Sequence, residues 1–168
     1  KVHGSARQVV VITEDEPRFF AYRDELTEVI RRSGREIGLV AFSLRELTMA
    51  ELLEKVEKLG GESVVLLASA FKDREGNLYG LEDSTAMIRG RCAAPIYVTG
   101  SQWLGLGPVG GRVKSGSHQG QAAADMAIEI LEGKNPGDIP MLRESPNVYM
   151  FDYVQLKHFG ISPSELPK

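Results

Sequence analysis

The chain has 168 residues, one domain by size and long enough to bury a substantial core. Hydrophobic residues make up 42% and charged residues 26%, which excludes disorder and a coiled coil; a net charge of -3 without any Lys/Arg-rich run leaves out the basic footprint of a nucleic-acid binder. The one cysteine, Cys92, excludes an internal disulfide and a cysteine-pair zinc site, and no apolar run approaches the roughly 18 residues of a membrane helix.

Apolar runs alternate with amphipathic stretches along the whole chain. The opening KVHGSARQVVV has neither an initiator Met nor a signal-peptide pattern, and reads as a piece of a longer protein. Gln8 to Ile12 is a short β-branched run, the composition of a buried strand. Asp15 or Glu16 then precedes Pro17, which suits the first turn of a helix. Phe19, Tyr22, Leu26, Val29 and Ile30 recur at helical spacing until Ser33-Gly34. Ile37 to Phe42 is the second predicted strand. Thr48 and Glu51 form a capping box before a helix whose inner face is Leu52, Leu53, Val56 and Leu59, stopped by Gly60-Gly61.

Val64 to Ala68 is the third strand, followed by the polar loop KDREGNLYG, a short helix from Asp83 to Arg91 and a fourth strand at Pro95 to Thr99. A glycine-rich stretch leads to a helix from Ser117, with Ala123, Met126, Ala127, Ile130 and Leu131 as its buried stripe and Gly133 beyond its end. One further strand, Val148 to Phe151, falls in the tail. This alternation predicts an α/β domain over residues 1–168, a parallel doubly wound sheet of about five strands with helices on both faces. Residues 141–168 form a tail or exit segment.

Short motifs with chemical meaning fail on context. Gly105, Gly107 and Gly110 spell G-x-G-x-x-G, but the dinucleotide fingerprint needs a helix opening on the last glycine and belongs to the first strand–helix unit. Here Arg112 to Gly116 intervenes, Val113 looks extended, and Pro108 removes an N–H that a phosphate would use. The plainer reading is a connection that crosses closely packed backbone. The acidic run Thr13 to Glu16 lacks the aspartate at the end of the third strand that a phospho-acceptor would need, and fits a helix N-terminus instead. In Asp73 to Asn77 the glycine falls at the wrong position for a calcium loop, so a solvated turn is expected. His118 beside Ser115 and Ser117 has no acidic partner, which leaves an N-cap serine with an exposed neighbour. Cys92 reads as inert and partly buried. No catalytic, cofactor or metal residue is assigned.

A longer pattern is more specific. Pro95 and Tyr97 lead to Gly105, Gly107, Val109, Gly110 and Gly111. Gly120, Ala122 and Ala123 then open a helix ending at Ile130, Leu131 and Gly133, with Ile139-Pro140 after it. Asn147, Met150, Phe151 and Asp152 close the chain with Leu156, Phe159, Gly160 and Ile161. This run resembles the ABC-transporter substrate-binding-protein-like family, which has the type I periplasmic-binding-protein fold. It is most similar to the branch that serves as sensor domains of bacterial histidine kinases and diguanylate cyclases. Phe71, Asp73 and Gly76 also fit, whereas Leu106 departs from the polar residue expected there. The resemblance implies two α/β lobes with ligand held between them, of which this chain supplies the C-terminal one.

The resemblance further implies a non-enzymatic, extracytoplasmic ligand-sensing domain of an inner-membrane signal-transduction protein, such as a two-component system. Its partners would be a small-molecule solute, a missing lobe or second copy of the domain, and a downstream output domain. The alternatives are a free solute-binding component of a transporter and a cytosolic enzyme using a nucleotide or flavin. Independently of any family, open α/β sheets hold ligands at the carboxyl ends of their strands. That rule selects Glu14, Ser43, Ser69, Phe71, Gln102 and Trp103. Trp103 and Phe71 would stack on a flat solute or pack beneath the glycine loop, while Gln102 and Ser69 would hydrogen-bond its polar groups. The glycines at 105, 107 and 110 are expected at the rim of this half-cleft.

Overall fold

The computed structural model describes residues 3–14, 16–142 and 145–167, with side chains described outside 16–22. Asp15 and the side chains of Phe19 and Tyr22 therefore lie outside the described residues. The elements run β1 (Gln8–Thr13), α1 (Glu16–Arg32), β2 (Gly38–Ser43), α2 (Met49–Glu57), β3 (Ser63–Leu67), α3 (Leu81–Arg91), β4 (Ile96–Val98), β5 (Gly110–Val113), α4 (Gly116–Leu131), β6 (Val148–Phe151) and α5 (Tyr153–His158).

The strands form one sheet in the order β2-β1-β3-β4-β5-β6. Pairing is parallel from β2 through β5, and β6 closes the edge antiparallel to β5. The fold is a doubly wound α/β sheet. Six strands stand where about five were expected, because the segment after the glycine stretch is β5, and the sheet is not wholly parallel. The chain turns outward from β1 to β2 and then back across β1 to β3. Right-handed crossovers therefore put α1 on one face of the sheet and α2 and α3 on the other.

The alternation within β1 and β3 decides what each face buries. Val10, Ile12, Val65 and Leu67 point to the α2–α3 side, where they meet Leu52, Val56 and Ile88 without solvent exposure. Each such side chain contributes about 1.5–3 kcal/mol by leaving water. The capping box read from the sequence is present: the Glu51 amide donates to Thr48 Oγ1 at 3.2 Å and the Thr48 amide to Glu51 Oε2 at 2.8 Å. A second, smaller cluster of Val109, Leu156 and Ile161 packs with Tyr97 and Phe151 under α5.

The loop after β3 is held from within. Asp73 is buried, not solvated as the turn reading implied. Its carboxylate accepts from the amides of Met49, Glu75 and Asn77, the Asn77 side-chain amide and the Tyr79 hydroxyl, at 3.0–3.3 Å. Desolvation pushes this carboxyl upward, but hydrogen bonds from Asn77, Tyr79 and the amides outweigh it and hold the group at about 2.

Helix α4 departs from expectation. The stripe of Ala123, Met126, Ala127, Ile130 and Leu131 is not buried; no side chain of this helix is. It bridges β5 and β6 without packing on the α2–α3 core, so its periodicity was read correctly and its covering was not. Among the described residues no helix is long and apolar enough to cross a membrane.

Candidate ligand-binding cleft

Strand order reverses between β1 and β3, the position where open α/β sheets place their ligands. In this protein that crevice is laced together. The Glu14 amide donates to Ser69 Oγ at 3.1 Å, and Glu14 Oε2 accepts from the amides of Phe71 at 2.6 Å and Lys72 at 2.8 Å. Glu14 thus fixes the loop after β3 to the end of β1. The open space lies beside it, over the carboxyl ends of β3, β4 and β5.

That space is a cleft of about 440 Å3. Five of the six candidates, Glu14, Ser69, Phe71, Gln102 and Trp103, line it. Trp103 is only 4% exposed and forms part of the core, so its indole is a floor and not a free stacking plate. Phe71 lies over it, with ring centroids 6.2 Å apart and planes inclined by 19°. Gln102 is exposed at the edge, its side chain folded over Gly100 so closely that a Cβ there would collide with it. Ser43 is not part of the cleft. It is buried at the end of β2 on the far side of β1, and its Oγ accepts from the Arg45 amide at 3.3 Å.

The remaining walls come from residues that sequence reasoning did not select: Ala68, Thr99, Gly100, Lys114, Gly116 and Gln119. Lys114 extends β5 and pairs with Gly100: its amide donates to Thr99 O at 2.9 Å, and its carbonyl accepts from the Ser101 amide at 3.0 Å. Lys114 is the cation among the residues lining the cleft. Applying the strand-end rule to β5 would have found it, but β5 had not been counted as a strand.

The glycine stretch does not form the rim. The chain must return from the carboxyl end of β4 to the amino end of β5 over residues 99–109 with only a 3-10 turn at Ser101–Trp103, and Gly105 and Gly107 take positive φ angles of 84° and 110° along the way. Gly107 arrives beside Arg89, Cys92 and Ala94, at the opposite end of the sheet from the cleft. Gly110 opens a strand and not a helix, with φ of 124°. A Cβ there would collide with the Met150 carbonyl and lie 2.7 Å from Phe151 Cα, because β6 presses against it. The close backbone passage is as read; its place is the return path.

Other candidates settle into structural roles. Burial raises the Cys92 thiol, which faces the Ala94 carbonyl at 3.7 Å. Ser115 is the N-cap residue of α4, yet its hydroxyl meets Ser117 Oγ at 2.9 Å and His118 Nδ1 at 3.0 Å instead of capping an amide.

No protein-family model matches the chain, and no curated protein does. Among solved structures, the crystal structure of a conserved domain protein from Vibrio cholerae O1 biovar El Tor strain N16961 is similar, with a TM-score of 0.60 and 15% identity. The likeness covers 99% of this chain and 53% of that one, so this chain spans about half the length of its structural neighbour. At this identity the likeness speaks for the fold.

Proposed function

We propose that this chain is the ligand-binding lobe of an extracytoplasmic sensor, a non-enzymatic domain of a bacterial inner-membrane protein whose output is a histidine kinase or diguanylate cyclase. The observation that carries the reading is the cleft of about 440 Å3 at the strand carboxyl ends, in the size range of small-molecule sites. Its chemistry is a Lys114 ammonium, a Glu14 carboxylate engaged by the Phe71 and Lys72 amides, and the side-chain amides of Gln102 and Gln119 around an aromatic floor. These groups suit a small polar solute bearing a carboxylate.

Helix α4 starts at this cleft, since Gly116 and Gln119 line it. A solute held there would bear on the first turn of that helix, and such differential contact is what lets a ligand bias an output domain. The cleft is built from one lobe, and a second lobe or a second copy would complete it.

A thermal-shift screen of amino acids, small carboxylic acids and aromatic acids tests this reading. A solute at a hundredfold excess over its Kd adds about 2.7 kcal/mol of stability, which for a domain of this size raises Tm by roughly 5–10 °C. Lys114→Ala should abolish the shift while leaving the unliganded Tm within about 1 °C. A panel without a hit, or a hit whose shift survives both Lys114→Ala and Gln102→Ala, overturns the proposal.

A further inference from the structure

The strand-end rule offers Glu14 as a ligand contact, yet its carboxylate is already engaged. Oε2 accepts from the amide of Phe71 at 2.6 Å and from that of Lys72 at 2.8 Å, short distances of the kind a charged acceptor gives. The Glu14 amide in turn donates to Ser69 Oγ at 3.1 Å. One residue at the end of β1 therefore grips the chain on both sides of Ala70, which is itself buried.

The rest of the loop is anchored elsewhere. Lys72 bridges antiparallel to Leu78, and the Phe71 carbonyl accepts from the Tyr79 amide at 2.8 Å, so residues 71–79 close on themselves. Asp73 takes the Met49 amide, and the Arg74 guanidinium donates to the Glu46 carbonyl at 2.9 Å, which ties this loop to the start of α2. Removing the Glu14 carboxylate would leave those ties in place and release the cleft side of the loop. That side carries the Phe71 ring, which lies over Trp103 at the stacking distance already described. Trp103 is kept almost wholly from solvent although it lines the cleft.

We propose that Glu14 is a positioning residue. Its carboxylate holds the Phe71–Lys72 backbone so that the Phe71 ring stays on Trp103, and it thereby sets the aromatic wall of the cleft before a solute arrives. A wall fixed in advance spares the solute the cost of ordering it. That consequence for binding rests on the ligand reading; the latch itself does not.

Trp103 is the one tryptophan of the chain, so its fluorescence reports on this wall directly. Glu14→Ala should raise the acrylamide quenching constant about twofold or more and red-shift the emission, because the released segment opens locally. Circular dichroism should stay unchanged. Phe71→Ala should have the same effect, and the double variant should be quenched no more than Phe71→Ala alone, since Glu14 acts through that ring. Glu14→Gln keeps an acceptor oxygen at the same reach and should stay near the parent. Glu14→Asp keeps the charge but falls one methylene short, and should behave as Glu14→Ala. Quenching unmoved by Glu14→Ala or by Phe71→Ala, or additive in the double variant, overturns the proposal. Should Glu14→Ala fail to fold, the Gln and Asp variants decide alone, and parent-like quenching in Glu14→Asp overturns it. No solute enters this experiment, so an empty thermal-shift screen leaves the latch standing, and a failed latch leaves the screen standing.

Discussion

The two faces of the sheet are built from the same strands and nearly the same residues, yet they end in different states. Val10, Ile12, Val65 and Leu67 are fully enclosed beneath α2 and α3, while on the other face Val11 is buried but Val9, Val64 and Leu66 are only half-buried. Parallel strands need cover on both faces, and β1 and β3 are apolar on both. The residue types do not distinguish the faces; the helices do. On one face α2 and α3 also pack on each other, while the other face belongs to α1. The packing among the described side chains is thus closer on the α2–α3 side of the sheet than at Val9 and Val64 on the other.

The largest expected effect is at the seam where β5 meets β6. Gly110→Ala would force a Cβ into the Met150 carbonyl at a φ of 124°, and both obstacles are backbone. A loss of more than about 4 kcal/mol, seen as little soluble folded protein, is expected. A Tm near that of the parent would mean that β6 does not press on β5 as described.

The contrast between faces is measured directly by truncating one residue on each. Leu67→Ala should cost about 3 kcal/mol in urea unfolding, because its surroundings are closed and a cavity remains. Val64→Ala should cost under about 1 kcal/mol, since the half-buried site gives up less transfer energy and leaves no sealed cavity. Equal losses would show that the second face is covered in solution.

Acid titration sharpens the picture of the loop beside the cleft. Asp73 is held at about 2 in the folded chain against an ordinary value of 3.8. Its folded value is the lower one, so the stability it contributes is complete above about 3.8 and disappears as pH falls toward about 2. Asp73→Asn should therefore be less stable than the parent at pH 7, and the difference should shrink through that window. A pH-independent difference would assign the effect to packing.

Much of the fold was legible before any coordinates. The short β-branched runs at Val9 to Ile12 and Val64 to Leu67 are strands because their side chains favour a pleated, doubly covered position, and Thr48 with Glu51 starts α2 by satisfying amides locally. β5 was not legible: Gly110 and Gly111 have low strand preference, and they are there because backbone from β6 and β4 approaches where a Cβ would sit. Missing that strand also hid Lys114. The strand-end rule brought Ser69, Phe71 and Gln102 to the cleft. It misjudged Ser43, whose strand lies beyond β1, and it left Trp103 undecided, because an indole serves equally as floor or as stacking plate.

Local patterns of apolar and polar residues were enough to specify strands, helices and their alternation, since these depend on interactions between residues close along the chain. Which apolar stripes end up covered depends on surfaces far apart in sequence or in another molecule. The stripe on α4 has the same periodicity as the one on α2, and only the arrangement in space reveals that one is packed and the other exposed.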